Sequence, residues 1–357
     1  MQPIPTANTN IFENGIRHPL LYLWDAWSYT ESEIMHLYCL AVSRFNPDGT
    51  ILSPNDRNNV PFHIRHFTSE NSGKTWKDEG CFLDLAAFPN KESYRTIWSG
   101  SVKPLPSGRK LVAFTSIEAV DSEHNFLQKI MLASSDDGYT VNQIADTDLS
   151  SPRRDWEEIT KLGYYLDAPE HLGSNDGEGD GPILAWRDPF VFVDHTGESN
   201  LFWGGKVSLE KGALVRATLK EEGGNYKIKK LFPPVMVPDG ESFTQLELPK
   251  VLLDKERKLY YLIISTCNRL YEGQSDSEVD KGVRIYKSDS IEGPWESLGP
   301  KILGSERLFG PTVLKADFEN DRLLCTAPYT ELAEDDLQLT FAPVFYIYLD
   351  NLKVEFL

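Results

Sequence analysis

Short runs of alternating apolar and polar residues, separated by turns rich in Gly, Pro, Asn and Asp, recur along the whole chain of 357 residues. Such alternation is typical of β-strands, because successive side chains of a strand point to opposite faces. Five such runs, each predicted to be a strand with one buried face, are HLYCLAVSR (36–44), RKLVAFTSI (109–117), SNLFWGGKVSL (199–209), KLYYLIIST (258–266) and RLLCTAPYT (322–330). Because long helical periodicity is scarce, this pattern predicts an all-β protein.

A weak internal repeat indicates how these strands are connected. The segments TSENSGKTW (68–76), SSDDGYT (134–140) and KSDSIEGPW (287–295) share Ser, polar or acidic turn residues and Gly. They resemble the Asp-box hairpins that join two outer strands of a blade in propeller glycosidases. The glycine supplies the positive φ that such a turn needs. The resemblance implies structural turns, not catalytic residues.

The candidate innermost strands lie at intervals of about 60 to 90 residues, enough for the four strands of a propeller blade and their turns. They lie near Asp25, Trp98, Asp188, Glu247 and Gly310. Five blades account for the whole chain, so we predict a single-domain, five-bladed β-propeller over residues 1–357. The block FAPVFYIYLDNLKVEFL (341–357) is expected to supply outer strands, and residues 150–182 an insertion on the propeller rim.

The charge of the chain limits its partners. Asp and Glu outnumber Lys and Arg by 54 to 36, which gives a formal net charge of −18. Such a surface repels nucleic acid and anionic lipid, so neither is an expected partner. A neutral small molecule such as a saccharide feels little of this field. The sequence also has no apolar stretch long enough to span a membrane, and it leaves the oligomeric state open.

The cysteines and the N-terminus indicate a reducing compartment. The four cysteines form no C-x-x-C pair and lie far apart in sequence, which favours buried free thiols. The N-terminal MQPIPTANTN has neither the basic region nor the apolar core of a signal peptide. We therefore expect a cytoplasmic protein, unless the N-terminus has been processed from a secreted precursor.

Three carboxylates lead into predicted inner strands and stand out as candidates for chemistry. Asp25 lies in YLWDAW, Asp188 in AWRDPF and Glu247 in FTQLELPKVLL. Each alone could be a strand-end acid that is hydrogen-bonded to backbone N–H groups. Three of them on three different blades favour a shared site at one end of the central channel. Cleavage of a glycosidic bond needs one carboxyl group as proton donor and a second to attack the anomeric carbon or activate water.

Four motifs carry a family resemblance. LWDAW (23–27) resembles the Trp-Asp-x-Trp nucleophile motif of glycoside hydrolase family 68, the levansucrases and their relatives. IWSGS (97–101), WRDP (186–189) and TQLELP (244–249) resemble that family's Trp-Ser-Gly-Ser, Arg-Asp-Pro and Glu-Arg-Pro motifs, and all occur in the family order. The set is fairly specific for the wider clan of families 68, 32 and 43.

The resemblance implies roles for particular residues. Asp25 would be the nucleophile that forms a covalent fructosyl-enzyme, Asp188 would stabilise the transition state, and Glu247 would be the general acid and then the general base. It also implies the following sugar contacts: Trp24 and Trp98 as walls of the subsite, Ser99 near the nucleophile, Arg187 on sugar hydroxyls, and Gln245 and Arg269 on the leaving-group sugar. For Arg269 a surface position is an equal alternative. We predict no cofactor, since the sequence has neither a histidine ligand pattern nor a phosphate-binding glycine loop after a strand.

Departures from the family pattern leave alternatives open. Ser28 stands where the family has Pro, and Leu248 replaces the Arg of Glu-Arg-Pro, which removes a cationic group beside the acid. The favoured hypothesis is a retaining enzyme that cleaves sucrose or a small fructoside, by hydrolysis or by fructosyl transfer. The alternatives are an inverting furanosidase of the family 43 type, such as an arabinofuranosidase, and a propeller that binds sugar without cleaving it.

The segment SNDGEGDG (174–181) has alternating acids that could ligate calcium through Asp176, Glu178 and Asp180. It lacks the spacing and the terminal Glu of an EF-hand loop, so a solvated acidic turn is the preferred interpretation. We therefore predict no metal site.

Overall fold

Five antiparallel sheets, referred to as blades 1 to 5 in chain order, build the protein in a computed structural model that describes residues 11–174, 183–271, 274–329 and 338–357. The candidate calcium ligands Asp176, Glu178 and Asp180 lie outside the described residues.

The strands have the following bounds. Blade 1 contains β1 (Ile11–Glu13), β2 (Leu21–Glu31), β3 (Ile34–Ser43), β4 (His63–Ser69) and β5 (Thr75–Leu83). Blade 2 contains β6 (Tyr94–Pro104), β7 (Lys110–Glu118), β8 (Leu127–Ser135) and β9 (Gln143–Ile144). Blade 3 contains β10 (Arg187–Val193), β11 (Ser199–Ser208), β12 (Lys211–Glu222) and β13 (Asn225–Leu231). Blade 4 contains β14 (Gln245–Asp254), β15 (Leu259–Cys267), β16 (Lys281–Ser288) and β17 (Glu296–Ser297). Blade 5 begins with β18 (Thr312–Asp317) and β19 (Arg322–Thr326); a separate pair, β20 (Pro328–Tyr329) and β21 (Thr340–Phe341), precedes its outer strands β22 (Phe345–Tyr348) and β23 (Val354–Phe356).

Among the described residues, helical structure is limited to short segments. One α-helix, α1 (Trp156–Lys161), lies between blades 2 and 3 in the chain. The 3-10 helices are Pro54–Asn59, Leu85–Ala87, Lys91–Ser93, Gly240–Ser242, Asp276–Glu278 and Phe318–Asn320.

The blade assignment made from the sequence is confirmed. In blades 2 to 5 the strands follow the chain from the inner edge to the outer edge, and in blade 1 β1 adds to the outer edge beside β5. The predicted inner strands form the inner edges of their sheets, and the block 341–357 supplies β22 and β23 of blade 5. The ring closes between blades 1 and 5, where Ser28 and Thr312 share a hydrogen bond of 2.8 Å between their hydroxyl oxygens.

The prediction that the five alternating runs are strands with one buried face is wrong. Each run forms the strand next to the innermost one of its blade, and such a strand is covered on both faces. In β3, Leu40 and Val42 pack with blade 2, whereas Leu37 and Ala41 pack with blade 5. Successive side chains of a strand point to opposite faces, so a strand between two neighbouring blades buries both sets. Polar residues of these runs such as His36, Ser116, Asn200 and Thr266 therefore lie in the interior.

The three Asp-box-like segments join the third and fourth strands of blades 1, 2 and 4, as predicted. Their glycines at 73, 138 and 293 have φ values of 80°, 80° and 88°. At Gly138 a Cβ atom would lie 2.0 Å from the Tyr29 hydroxyl oxygen. The turn therefore needs glycine both for its backbone conformation and for the close approach of blade 1.

The described part of the predicted rim insertion is not wholly peripheral. Ile159 of α1 and Tyr164 are buried in the same apolar cluster as Trp186 and Trp203 of blade 3. This cluster also contains residues of β7 and β8, so the segment fills the space between blades 2 and 3. Apolar side chains on both sides of the segment explain why it folds back onto the sheets.

All four cysteines carry free thiols; Cys39, Cys267 and Cys325 are buried and Cys81 is half-buried. Within the described ranges no helix has the length and apolar character needed to cross a bilayer.

Candidate active site

The inner strands of blades 1 to 4 each contain a β-bulge at the position of a sequence motif. The pairing register shifts between Trp24 and Ala26, Trp98 and Gly100, Arg187 and Phe190, and Glu247 and Lys250. Asp25, Asp188 and Leu248 lie in these bulges with φ values of 48°, 64° and 51°. A bulge redirects one side chain relative to the rest of its strand, and a left-handed backbone is costly for a residue other than glycine. Four bulges at one level of the ring therefore mark a site.

The bulged residues border one cavity of about 480 Å³. Of the predicted site residues, the cavity is lined by Trp24, Asp25, Trp98, Arg187, Asp188, Gln245, Glu247 and Arg269. Ser99 lies behind this surface, and its hydroxyl donates a short hydrogen bond to the Asp25 carboxylate. The structure thus brings together all nine residues that the motifs singled out.

The Asp25 carboxylate is closely surrounded by protein. Burial raises the pKa of Asp25, and the negative charge of Glu247 raises it further. The hydrogen bond from Ser99 and the positive charges of Lys250 and Arg57 act in the opposite direction. The carboxylate is therefore a strong base for its residue type, held in place by one hydroxyl donor.

Asp188 is buried and is held through both its backbone and its side chain. Its backbone N–H donates to the Thr115 hydroxyl oxygen at 2.9 Å, and its carboxylate accepts from the Leu248 N–H at 3.2 Å. Burial raises the pKa of Asp188, the Arg187 guanidinium lowers it, and the charges of Asp25 and Glu247 raise it further. Raised pKa values at two carboxyl groups that interact electrostatically are typical of catalytic sites.

Glu247 is held by Arg187. The Nη2 atom of Arg187 donates to Glu247 Oε1 at 2.8 Å and to Gln245 Oε1 at 2.6 Å, and Nη1 donates to the Leu184 carbonyl at 2.8 Å. The Glu247 side chain remains 19% exposed, whereas that of Arg187 is 7% exposed. The substitution of Leu248 for the family's Arg therefore does not leave the acid without an adjacent cation, because Arg187 lies beside it.

Aromatic rings and a further arginine shape the cavity walls. Trp24 packs edge-on against Phe62 with ring centroids 4.6 Å apart, and Trp98 packs against Phe126 at 5.1 Å. Indole faces next to hydrogen-bonding groups suit sugar rings, which have an apolar face and a polar edge. Arg269 also lines the cavity; its backbone carbonyl accepts from the Gln245 side chain at 3.2 Å. Of the two readings of Arg269, the structure places it at the site.

Several cavity residues carried no motif in the sequence. Asn55, Arg57 and Asn58 reach the cavity from the 3-10 helix Pro54–Asn59, which follows the second strand of blade 1. The Arg57 guanidinium carbon lies 5.7 Å from the Trp24 ring centroid. Gln274 and Lys281 border the cavity from blade 4. The polar run PNDRNN was the only available signal, and it equally fits a surface turn.

The described residues contain no group of three or more His, Cys, Asp and Glu side chains placed to hold a metal ion. The chemistry that the arrangement supports is that of the carboxyl groups. Asp25 is half-buried and accepts from the Ser99 hydroxyl, Asp188 is buried, and Glu247 is partly exposed beside the Arg187 guanidinium.

The fold is shared with solved structures of sucrose-processing enzymes. Inulosucrase from Halalkalicoccus jeotgali bound to kestose superposes with a TM-score of 0.65 at 18% sequence identity, covering 99% of this chain and 90% of that chain. Bacillus subtilis levansucrase, as a mutant in complex with oligosaccharides, gives 0.64 at 15% identity, covering 99% and 90%. A B. megaterium levansucrase mutant gives 0.64 at 15% identity, covering 94% and 85%. The chain has the five-bladed propeller fold of levansucrases and inulosucrase. No protein-family model and no curated protein sequence matches this chain.

Proposed function

We propose that this protein is a retaining glycosidase that cleaves a β-fructofuranosyl bond in sucrose or a small fructoside, with hydrolysis or fructosyl transfer as the outcome. The observation that carries the proposal is the convergence of Asp25, Asp188 and Glu247, from three different inner strands, on one cavity between two indole rings. A glycoside-cleaving site requires a pair of carboxyl groups, and the third has a place as a partner of the developing positive charge.

In the first step the Asp25 carboxylate attacks the anomeric carbon of the fructosyl unit, while Glu247 transfers its proton to the departing glycosidic oxygen. The bond to the leaving sugar breaks as the bond to Asp25 forms, and the leaving sugar departs as a neutral alcohol. In the second step Glu247, now a carboxylate, takes a proton from water or a sugar hydroxyl, which attacks the same carbon and releases Asp25.

The neighbours of each carboxyl group fit the roles of nucleophile, transition-state stabiliser and general acid. Asp25 must be ionised to attack, and the Ser99 hydroxyl together with the Lys250 and Arg57 charges favours its anion against the effect of burial. Asp188 is buried on blade 3, where it can accept hydrogen bonds from fructosyl hydroxyls and stabilise positive charge in the transition state. Glu247 is the most suitable proton shuttle, because its side chain is partly exposed and can meet both leaving group and water.

A saccharide substrate is supported by the fold neighbours, two of which are described as bound to kestose and in complex with oligosaccharides. Trp24 and Trp98 would contact the fructosyl ring, with Arg187 on its hydroxyls. Gln245 and Arg269 would contact the leaving-group sugar, since they lie together beside Glu247.

The test is incubation of the purified protein with sucrose, followed by separate quantification of glucose and fructose. Equal release would support hydrolysis, and glucose in excess of fructose would support transfer to sugar acceptors. In the presence of methanol, a retaining enzyme would form methyl β-fructofuranoside, whereas an inverting enzyme would form none of this product. Failure to cleave sucrose and small fructosides would contradict the proposal. Cleavage of arabinofuranosides instead would favour an inverting furanosidase, and cleavage of none of them would favour a propeller that only binds sugar.

A further inference from the structure

A buried lysine lies next to the candidate site and transfers no proton and forms no bond in the proposed chemistry. Lys250 is in β14, three positions after Glu247, and is only 4% exposed. Its ammonium group donates a hydrogen bond of 3.0 Å to the backbone carbonyl of Leu248. Burying a charged lysine is unfavourable unless its charge is compensated, so this position calls for a partner of opposite charge.

Lys250 and Asp188 both form hydrogen bonds with the backbone of Leu248, the residue in the bulge. The Leu248 N–H donates to the Asp188 carboxylate at 3.2 Å, and the Leu248 carbonyl accepts from Lys250 at 3.0 Å. Leu248 directly follows Glu247 and has a φ of 51°, a conformation that a leucine does not adopt without support. The pair of hydrogen bonds supplies that support, and with it the orientation of the peptide that carries Glu247.

The charge of Lys250 also acts on the carboxyl groups. Burial lowers the pKa of Lys250 to about 8, and the negative charges of Asp25 and Asp188 oppose that effect. In return, Lys250 lowers the pKa of Asp25 against the effect of burial. The other charged or titratable groups that influence or feel Asp25 are Glu247, Arg57, Asp188 and the buried Cys39 thiol. Of the two cations in this set, Lys250 is the buried one.

We propose that Lys250 is a positioning residue of the site: it fixes the Leu248 bulge beside the acid, and its charge keeps the half-buried Asp25 carboxylate ionised. The inference rests on the proposed function of Asp25 as nucleophile, but the ionisation of Asp25 can be measured without any substrate. Lys250 itself touches neither the substrate nor the reacting atoms in this account.

The variants that test this proposal are Lys250→Met, which keeps the length of the side chain without its charge, and Lys250→Arg, which keeps the charge. Lys110→Met is the matched control. Lys110 is 5% exposed and also donates to backbone carbonyls, those of Gly108 and Asp136, but its ammonium group pairs with Glu31 at 3.1 Å, outside the candidate site. Circular dichroism and thermal unfolding of each variant establish that it is folded.

The first readout is the acidic limb of the pH dependence of kcat/KM for sucrose. An opposite charge near a carboxyl group lowers its pKa by about 1 to 3 units, so Lys250→Met should move this limb upward by about one pH unit. On the acidic side, kcat/KM would then fall by about tenfold relative to the wild type. Lys250→Arg, which keeps the positive charge, should leave the acidic limb close to its wild-type position, and Lys110→Met should not move it. A Lys250→Met enzyme that loses activity equally at all pH values would overturn the electrostatic role.

The second readout needs no activity. In protein labelled with ¹³C at the Asp carboxyl carbons, the Asp25 resonance is assigned by its absence in Asp25→Asn, and its titration is compared with and without Lys250. An upward shift of the Asp25 midpoint supports the proposal, and an unchanged midpoint overturns it, whether or not sucrose is a substrate. If Lys250→Met does not fold, the same titration in Lys250→Arg should leave the midpoint within about half a unit of the wild type; a larger shift would contradict the proposal.

Discussion

The carboxylate of Asp188 accepts a hydrogen bond of 3.2 Å from the backbone N–H of Leu248. This contact links the inner strands of blades 3 and 4 at the residue that follows Glu247, so the candidate stabiliser and the candidate acid are positioned by one bond. Both residues of the contact have positive φ values, 64° and 51°. Backbone strain of this kind persists only where the surroundings enforce it, and it is concentrated at functional sites.

Gly310 should tolerate no side chain, because it lies against this bulge. Its φ is 70°, and a Cβ atom would lie 2.5 Å from a Leu248 methyl carbon and 4.0 Å from Asp25 Oδ1. We expect Gly310→Ala to destabilise the protein by about 2 to 4 kcal/mol, from left-handed strain plus overpacking, and to lower kcat. Gly108→Ala is the control, since Gly108 has a φ of 86° and open space around it. Denaturant unfolding of both variants separates the cost of left-handed strain from the cost of overpacking. Equal losses of unfolding free energy in the two variants would show that the contact with Leu248 is unimportant.

The ionisation of Asp25 should cost stability. Burial raises the folded-state pKa of Asp25 above its unfolded value, so the folded protein holds the proton more tightly. Its contribution to stability is present below the unfolded pKa and is lost as the pH rises through the folded pKa. Asp25→Asn keeps the shape and tolerates the left-handed backbone without the charge. We therefore expect this variant to be more stable than the wild type by about 1 to 3 kcal/mol near pH 8, with the difference vanishing near pH 4. Thermal unfolding at both pH values tests the sign.

Glu247→Gln should impair substrates according to their leaving groups. A glycosyl donor with a good leaving group needs little proton assistance, whereas sucrose needs a full proton transfer. The variant should lose about 10²- to 10⁴-fold in kcat/KM with sucrose and much less with fructosyl fluoride. Glutamine preserves an oxygen that can accept from Arg187, so the wall of the cavity stays intact. A uniform loss across both donors would count against the acid role.

A buried histidine outside the site should make the fold sensitive to acid. Burial, with a smaller effect from the Arg65 charge, lowers the pKa of His63 to about 3. Below about pH 6.5, His63 binds a proton in the unfolded chain but stays neutral in the folded chain. The free energy of unfolding therefore falls as the pH drops. At pH 5 this effect amounts to about 2 kcal/mol, and His63→Leu should remove it. Urea unfolding between pH 7 and pH 5 measures the slope, with His171→Leu as the control because the His171 side chain is 62% exposed. An unchanged slope in His63→Leu would contradict the assignment.

The features of this fold that could be predicted from the sequence are those determined by residues close together in the chain. Each candidate carboxylate leads into an inner strand, and the inner strands of a propeller converge, so Asp25, Asp188 and Glu247 could be grouped although more than two hundred residues separate the outer two. The turns around Gly73, Gly138 and Gly293 were predictable because a positive φ favours glycine. The cytoplasmic location and the absence of nucleic-acid, membrane and metal partners stay predictions.

The remaining features depend on packing between blades, which no short segment encodes. Burial of both faces of β3 arises from blades 2 and 5 together. The approach of Arg57 to Trp24 depends on how the 3-10 helix Pro54–Asn59 folds back toward the cavity. Lys250 has the sequence appearance of an ordinary strand lysine, and only the bulge at Leu248 turns it toward a backbone carbonyl beside the site. Side chains of this kind become recognisable only when the neighbouring strand is in place.

The most direct test of the central claim, that Asp25 attacks the sugar, is to trap the covalent intermediate. Glu247→Gln is mixed with fructosyl fluoride, quenched in acid and digested, and the peptide containing Asp25 is analysed by mass spectrometry. Without a general base the second step slows more than the first, so the intermediate should accumulate. We predict a mass increase of one anhydrohexose located on Asp25, and none in Asp25→Asn/Glu247→Gln. Complete turnover of the fluoride with an unmodified Asp25 peptide, or a fructosyl group on a different carboxylate, would contradict the account.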